Sequence, residues 1–377
     1  MQLSEEHNMI REMVRKFALT EVAPLAKQID ETGEFPWATV KKMAGLNLLG
    51  MPFPVEWGGG GGDTLSYSIG VEEISRVCAA TGITMAAHTS LGTYPIWDAA
   101  SDAQKKKYLP PLASGKRLGA FGLTEPSAGS DAAATQTTAV RQGDHYIVNG
   151  TKCFITNASV AETYVFTAMT DKSAGVRGIT AFIIEKGAPG FRPGKKENKM
   201  GVRGSDTGEL IFEDCKVPVE NRLGEEGKGF RVFLRTLDGG RISIGAMALG
   251  IAQAALDASV KYAKERKQFG RAIGTFGAIQ DMIAEMATEV EAARLLVYEA
   301  SMAKDRGERY GKQAAMAKLY ASAIAMKSAR TAVQIHGGYG YMKDYEVERF
   351  YRDAKITEIG EGTSEIQRLV IARYVLE

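Results

Sequence analysis

The feature that most constrains this chain is a hydrophobic period that changes twice. Up to about residue 116 apolar residues recur at helical spacing, as with Ile10, Met13, Val14 and Phe17. From about 117 to 222 the text switches to short strand-like runs over 118–123, 135–141, 145–148, 151–156, 163–168, 178–184 and 209–212. Gly143-Asp144 and Asn149-Gly150 read there as hairpin turns, and Pro189, Gly190, Pro193 and Gly194 as punctuation. From about 223 long apolar stripes return: Ile242, Leu249, Ala252 and Leu256, then Ile279, Met282, Met286, Val290, Ala293 and Val297, then 315–335, stopped by Gly337-Gly338. The expected fold class is a multidomain α+β chain. It has an N-terminal α-helical domain at 1–116, a middle antiparallel β-barrel or sandwich domain at 117–222 and a C-terminal four-helix bundle at 223–377.

Within the first domain the spacing predicts helices over 37–49, 66–90 and 102–109. Five consecutive glycines, Gly58 to Gly62, follow proline-rich coil and lack a closing Lys-Ser/Thr, so they read as a flexible loop and neither a P-loop nor a Rossmann turn.

Composition excludes several function classes. The 377 residues carry a net charge of +2, which gives no reason to expect nucleic acid binding. The basic run Lys261, Lys264, Arg266, Lys267 and Arg271 suits a solvated face or a phosphate contact. Three dispersed cysteines and four scattered histidines supply no metal or disulfide framework. The opening MQLSEEHNMIREMVRKF is an acid-containing amphipathic helix, unlike a signal or transit peptide. No uninterrupted apolar run reaches membrane length, and a reducing cytoplasm is the default compartment.

The candidate chemistry lies near the C-terminus, in Asp353-Ala-Lys-Ile-Thr-Glu-Ile-Gly-Glu-Gly-Thr-Ser-Glu-Ile-Gln-Arg368. Ser364 with Gln367 fits a capping box, so a helix starts near Ser364 and Glu361 precedes it between Gly360 and Gly362. The flanking glycines leave little bulk between that carboxylate and a ligand. Spacing alone fits a solvated glutamate in a turn at least as well. Two further stretches are suggestive: Phe121-Gly-Leu-Thr-Glu-Pro-Ser-Ala-Gly-Ser-Asp131, a strand ending in a donor-rich turn, and Gln334-Ile-His-Gly-Gly-Tyr-Gly-Tyr341, which closes a helix.

In this order, with a β-domain between helical ones, these stretches resemble the acyl-CoA dehydrogenases. The resemblance spans essentially the whole chain and is nearest the short- and medium-chain members. It extends to Tyr108-Leu-Pro-Pro-Leu-Ala-Ser-Gly115, Asn149-Gly-Thr-Lys-Cys-Phe-Ile-Thr-Asn157, Leu237-Asp-Gly-Gly-Arg241, Glu265-Arg-Lys-Gln-Phe-Gly270 and Tyr351-Arg-Asp-Ala-Lys-Ile-Thr-Glu358. It implies a homotetramer, a dimer of dimers, with FAD in each subunit. It also implies oxidation of an acyl-CoA thioester to the trans-2-enoyl-CoA, with electrons passing to electron-transferring flavoprotein.

Carried over by position, Glu361 is the base for the weakly acidic C2 proton, and hydride leaves C3 for flavin N5. The thioester oxygen would be held by the backbone N–H of the base residue and a ribityl hydroxyl. Phe121, Leu123, Thr124 and Ser130 resemble the flavin-facing strand and turn, with Ser130 also reaching the pantetheine. Phe154, Ile155 and Thr156 match a Trp-Ile-Thr motif packed on the flavin, with Phe in place of Trp. Arg266, Phe269, Gln334, Gly337 and Gly338 resemble residues that reach a neighbouring subunit's FAD, and Thr363 and Glu365 also contact FAD. Asp238 and Arg241 belong to the CoA channel, and Gly360 and Gly362 flank the base. Some relatives carry the base on the long helix instead, at the position of Gly240 here. Gly277 stands where many members have a Gln that bonds FAD, and Gly360 where short- and medium-chain enzymes usually have Tyr. An acyl-CoA oxidase, usually longer, and a non-catalytic flavin- or CoA-binding scaffold are the competing readings.

Overall fold

The computed structural model describes residues 2–377. Helix α1 (Glu5–Phe17) is capped by the Ser4 hydroxyl, which accepts from the His7 N–H, and carries acids in its first turn and bases in its last. A π-helical turn leads to α2 (Ala23–Thr32), which stops at Gly33 in the left-handed region. After α3 (Trp37–Gly45) comes the glycine run, and it is not a flexible loop. The N–H groups of Gly59, Gly60, Gly61 and Gly62 donate to Pro54, Gly50, Phe53 and Met51. A Cβ at Gly59 would sit 2.1 Å from the Phe53 carbonyl oxygen, so glycine is needed there for close approach of two backbones.

The expected single helix over 66–90 is broken. It divides into α4 (Thr64–Val77) and α5 (Ala79–Ala86) at the extended residue Cys78. A π-helical turn, Ala87–Thr93, then joins α5 to α6 (Tyr94–Ala99), and α7 (Asp102–Ala113) follows with a complete Ser101/Gln104 capping box.

The middle region is an eight-stranded sheet. Its strands are β1 (Gly119–Gly122), β2 (Thr138–Gln142), β3 (His145–Thr156), β4 (Thr163–Met169), β5 (Ile179–Glu185), β6 (Phe191–Lys196), β7 (Thr207–Pro218) and β8 (Arg222–Leu223). The order is β6-β7-β3-β2-β4-β5-β8, with β1 added on β4. The sheet is mixed, not purely antiparallel: β1 runs parallel to β4 from Gly119↔Thr163 to Gly122↔Phe166, and β2 touches β4 in parallel at Thr138↔Met169. Gly143-Asp144 forms the expected hairpin between β2 and β3. Asn149-Gly150 does not turn the chain; it lies inside β3 at a register shift, where the Asn149 side chain accepts from the Asp214 N–H. The Pro193/Gly194 stretch, read as punctuation, is edge strand β6, where a missing N–H costs no ladder bond. Tyr146, Tyr164, Phe166, Phe182, Phe191 and Phe212 fill the interior in contacting pairs. Each such ring contributes roughly 1.5–3 kcal/mol by burial.

Helix α8 (Gly229–Glu265) is the axis of the C-terminal part. A short hairpin, β9 (Lys267–Gln268) with β10 (Arg271–Ala272), separates it from α9 (Gly277–Asp305); α10 (Gly311–His336), α11 (Val347–Ile359) and α12 (Ser364–Leu376) follow. Helices α8 to α11 form the bundle, α12 lies against α10, and α4 packs on α8 and α9. An 18-residue window of α8 is apolar enough to cross a membrane, but 78% of it is buried inside the protein. This follows from α8 being covered on several sides, so that its apolar residues are not confined to one stripe.

Candidate active site

Glu361 sits where α11 gives way to α12. Gly360 is extended (φ −64°, ψ 150°), Glu361 is left-handed at φ +55° and Gly362 at φ +95°. The cap of α12 is Thr363, whose hydroxyl accepts from the Ile366 N–H; Ser364 is the first helical residue and not the cap. Gln367 is therefore free of the expected capping box. Its fully buried amide donates to the carbonyls of Glu361 (3.3 Å) and Gly362 (2.8 Å). The Lys318 ammonium, entirely buried on α10, donates to the same Gly362 oxygen at 2.7 Å. A left-handed non-glycine residue costs about 1–2 kcal/mol, and these donors hold the turn that requires it.

The turn aims the carboxylate at α8. A Cβ on Gly240 would lie 1.9 Å from Glu361 Oε2 and 3.0 Å from Leu91 Cδ2, so only glycine leaves room for the carboxylate. The Gly240 carbonyl accepts from the Ser243 hydroxyl (2.8 Å), whose oxygen lies 3.0 Å from the Ser90 hydroxyl in the π-helical turn. One helical position on, Arg241 is buried and pairs through Nη1 with Asp238 Oδ1 at 2.5 Å, while its Nε has no partner. Among the described residues Glu361 Oε2 is likewise buried without a hydrogen-bond partner. Burial pushes the Glu361 carboxyl up to about 7, against the opposing pull of Lys318 and Arg241. Burial also brings the Lys318 ammonium down to about 8, although Glu361 works to raise it. A carboxylate with these properties is a base matched to neutral pH.

A second group of predicted residues lies on the β-domain. Phe121 and Leu123 are buried, Phe121 stacked on Phe233 at 4.1 Å between centroids. Thr124 is half-buried and its carbonyl accepts from the Cys153 N–H at 2.9 Å, which sets the Thr124 turn beside Phe154. Ser130 is exposed beyond that turn. Phe154 is left-handed at φ +58° and 66% exposed, at a register shift of β3 between Lys152 and Ile155. A bulge there re-aims the ring away from the sheet interior, while Ile155 is buried and Thr156 half-buried. Beneath the turn, Lys152 bonds Glu125 Oε1 at 2.7 Å and the Leu123 carbonyl at 3.2 Å. Burial works against the Glu125 charge, but Lys152 and the hydrogen bonds from Thr135 and Thr137 hold its carboxyl down at about 2.

A third group is exposed and apart from Glu361. Arg266 lies over the Tyr339 ring at 5.3 Å, and Tyr262 stacks on His336, so the β9–β10 hairpin sits beside the segment that closes α10. Phe269 is 93% exposed in the turn of the hairpin, and Gln334, Gly337 and Gly338 are exposed at the end of α10. Among the described residues no hydrogen bond, ion pair or ring contact joins this group to Glu361 or Phe154. Thr363 and Glu365 flank the Glu361 turn; Glu365 points outward, 3.8 Å from Arg368.

Sequence reasoning missed Lys318, Leu91 and the Glu125–Lys152 pair. The available signal for Lys318 was its position among Ala314, Ala317 and Ala321 on one apolar face of α10. For Lys152 it was a lysine inside an otherwise inward-facing strand pattern. Leu91 reaches the site through a π-helical turn, which leaves no periodic trace.

Models of the acyl-CoA dehydrogenase N-terminal, middle and C-terminal domains match residues 4–116, 120–215 and 227–376. The short-chain specific acyl-CoA dehydrogenase of Clostridium acetobutylicum is 55% identical over 370 residues, 98% of either chain. Butyryl-CoA dehydrogenase from Megasphaera elsdenii superposes with a TM-score of 0.98 at 47% identity over all of both chains. A chain in the solved structure of the electron transferring flavoprotein of Acidaminococcus fermentans, concerned with flavin-based electron bifurcation, gives 0.99 at 55% identity, covering 100% of this chain and 99% of that one. With all three domain models matched and about half the residues shared along the full length, the chain belongs to the acyl-CoA dehydrogenase family.

Proposed function

We propose that this protein is a short-chain, butyryl-CoA-type acyl-CoA dehydrogenase in which Glu361 removes the C2 proton of the thioester. The observation that carries the reading is the Glu361 carboxylate itself: single, dried by burial, unpartnered at Oε2 and seated over Gly240. A weakly acidic C–H beside a thioester needs such a base, and closing an acyl chain over it removes more water and strengthens it. Arg241 and Lys318 lie behind the carboxylate and favour its ionised form before reaction. The backbone N–H of Glu361 is the donor for the thioester oxygen.

The β-domain face fits FAD. The Phe154 residue is left-handed, adjoins the Thr124 turn and is 66% exposed, as a surface for a flat aromatic group requires. Phe121, Leu123, Thr124, Ser130, Phe154, Ile155, Thr156, Thr363 and Glu365 would hold the cofactor in its own subunit, and Arg266, Phe269, Gln334, Gly337 and Gly338 would reach that of a neighbour in a homotetramer. Bound FAD supplies the acceptor for the hydride that leaves C3. Electron-transferring flavoprotein is the onward acceptor, a reading supported by the Acidaminococcus likeness. Gly360 leaves space at one wall of the acyl cavity, since a Cβ there would meet only the Ile356 carbonyl at 3.4 Å and its Cγ1 at 3.9 Å. We therefore assign a short straight acyl chain with tolerance for branching.

The test is anaerobic mixing of the purified holoprotein with butyryl-CoA. The wild type should bleach its flavin and then reduce electron-transferring flavoprotein. Glu361→Gln should keep its flavin and bind substrate but bleach at least about 10²–10⁴-fold more slowly. Bleaching at the wild-type rate by the Gln variant would refute the assignment of the base, and peroxide as the main product would favour the oxidase reading.

A further inference from the structure

We infer that Lys318 is a positioning residue for the base: its ammonium clamps the Gly362 carbonyl that fixes the left-handed turn at Glu361, and sets a cation behind the carboxylate. The inference rests on the reading of Glu361 as base.

The geometry is unusual for a lysine. Lys318 is 0% exposed in an alanine-lined face of α10, a place a lysine leaves water to reach only when something holds its charge. The single hydrogen bond that it makes among the described residues goes to Gly362 O at 2.7 Å. Gln367 Nε2 donates to that same oxygen at 2.8 Å and to the Glu361 oxygen at 3.3 Å, so both lone pairs of the Gly362 carbonyl are occupied. The Gly362–Thr363 peptide, one residue past the base, therefore cannot rotate without breaking two buried bonds, one of them to a charged donor. It fixes ψ of Gly362, while the Gln367 bond to the Glu361 carbonyl holds the peptide between Glu361 and Gly362, so the two donors together set the turn from which the Glu361 side chain reaches towards Gly240.

The charges that face Lys318 are few. From α8 come Arg241 and the Asp238 paired with it; from the turn comes Glu361; the charges of Glu358 on α11 and of the outward-pointing Glu365 on α12 also act on it. Tyr67 on α4 lies within the field of Glu361, with its hydroxyl donating to the Ala86 carbonyl. Glu358 is paired with Lys355 at 2.7 Å, and Glu365 is exposed beside Arg368. Arg241 is paired with Asp238, which among the described residues leaves Lys318 as the buried cation near Glu361 that has no carboxylate partner of its own.

Two substitutions separate clamp from charge. Lys318→Gln keeps a donor without charge, and Lys318→Met keeps neither. Each is prepared as holoprotein, and the rate of flavin bleaching by subsaturating butyryl-CoA is followed against pH, with flavin content and Tm measured alongside. In Lys318→Gln the acid flank should move up by about one pH unit, because an opposite charge at this range shifts a carboxyl by about 1–3 units. Bleaching near pH 6 should then fall about tenfold below wild type and converge with it at high pH. Lys318→Met should show the same flank and also a lower high-pH plateau, by about 10²-fold if the carboxylate swings by roughly 1 Å. Flavin content should be unchanged in both, and Lys318→Arg should restore the flank. A wild-type flank in Lys318→Gln overturns the charge role. Loss of flavin, Tm and rate in proportion, with no movement of the flank, overturns the inference and leaves a structural lysine. If Lys318→Met does not fold, Lys318→Gln and Lys318→Arg decide. Glu361→Gln, run in parallel, isolates the premise: bleaching that survives there removes the base itself, whatever Lys318 does.

Discussion

The raised pKa of Glu361 has a kinetic signature. With its carboxyl near 7 in the free protein, about 9% is ionised at about pH 6 and about 91% at about pH 8. Only the ionised form can take the C2 proton. The second-order rate of flavin bleaching by butyryl-CoA should therefore rise about tenfold between those two pH values, with unit slope below the midpoint. At the ordinary value of 4.5 the group would be about 97% ionised at pH 6, and the rate would be flat across the same interval. Rapid mixing under anaerobic conditions, with substrate kept below saturation, reads the free protein. At saturation the flank should move higher still, since the acyl chain replaces the last water near Oε2 and desolvation is already the dominant cause of the shift. A flat profile from about pH 6 to 8 would mean a solvated carboxylate and would refute the burial reasoning.

Other outcomes follow from the same geometry. A carboxyl whose folded value is raised from 4.5 to about 7 favours folding only while protonated, so its contribution is lost as pH rises through that window. The loss is up to about 3 kcal/mol, and Glu361→Gln should gain in Tm over wild type as pH rises from about 5 to 8, with little difference below; a pH-independent gap would contradict this. Gly240→Ala gains up to about 1 kcal/mol of helix propensity, but its Cβ would displace Glu361 Oε2. Chemical and thermal denaturation should show no loss of stability, while flavin bleaching should slow by about 10²-fold. Gly360→Tyr should fold normally, because φ −64° suits any residue. It should lower kcat/KM for isobutyryl- or isovaleryl-CoA far more than for butyryl-CoA; equal losses for both classes would remove the cavity argument. Dilution should release flavin as subunits separate, and a monomer in sedimentation that keeps its full FAD would contradict the neighbour-subunit role of Arg266 and Phe269.

The order of the fold was legible because period is a local property: apolar spacing of 3.6 or 2 is written into each segment whatever it later touches. What was not legible depends on partners distant in sequence. The dipeptide Asn149-Gly150 suits a turn and a bulge equally, since both want unusual backbone angles, and only pairing of β3 with β7 decides. Gly58 to Gly62 look flexible by composition, yet their N–H groups are spent on carbonyls at 50–55. The parallel pairing of β1 with β4 joins residues more than forty apart and has no local sign. At the site, Glu361 could be singled out because its two glycines adjoin it in sequence, whereas Lys318 is remote in sequence and looked like one more polar residue on an amphipathic helix. The local capping rule placed the start of α12 correctly near Ser364 but named the wrong cap: Thr363 caps the helix, and Gln367 bonds the Glu361 and Gly362 carbonyls instead.

The contact between Gly240 and Glu361 also explains why a site of this shape holds one base. Oε2 lies 1.9 Å from where a side chain at 240 would begin, so a glutamate growing from α8 would start where the glutamate from the turn ends. Two carboxylates there would overlap, and even when displaced they would stand as unscreened like charges in a dry pocket, which drives one of them to protonate. A chain must choose the helix or the turn. Choosing the turn has two costs here: a glycine in the middle of α8, about 0.5–1 kcal/mol against alanine, and a left-handed glutamate, about 1–2 kcal/mol. Both costs are local, and the buried donors from Lys318 and Gln367 offset them at the two peptides that follow Glu361. A base on a helix would have its aim fixed by the helix. A base on this turn has its aim fixed by a lysine and a glutamine on the flanking helices α10 and α12, so disturbing either should misdirect the carboxylate while the bundle stays intact.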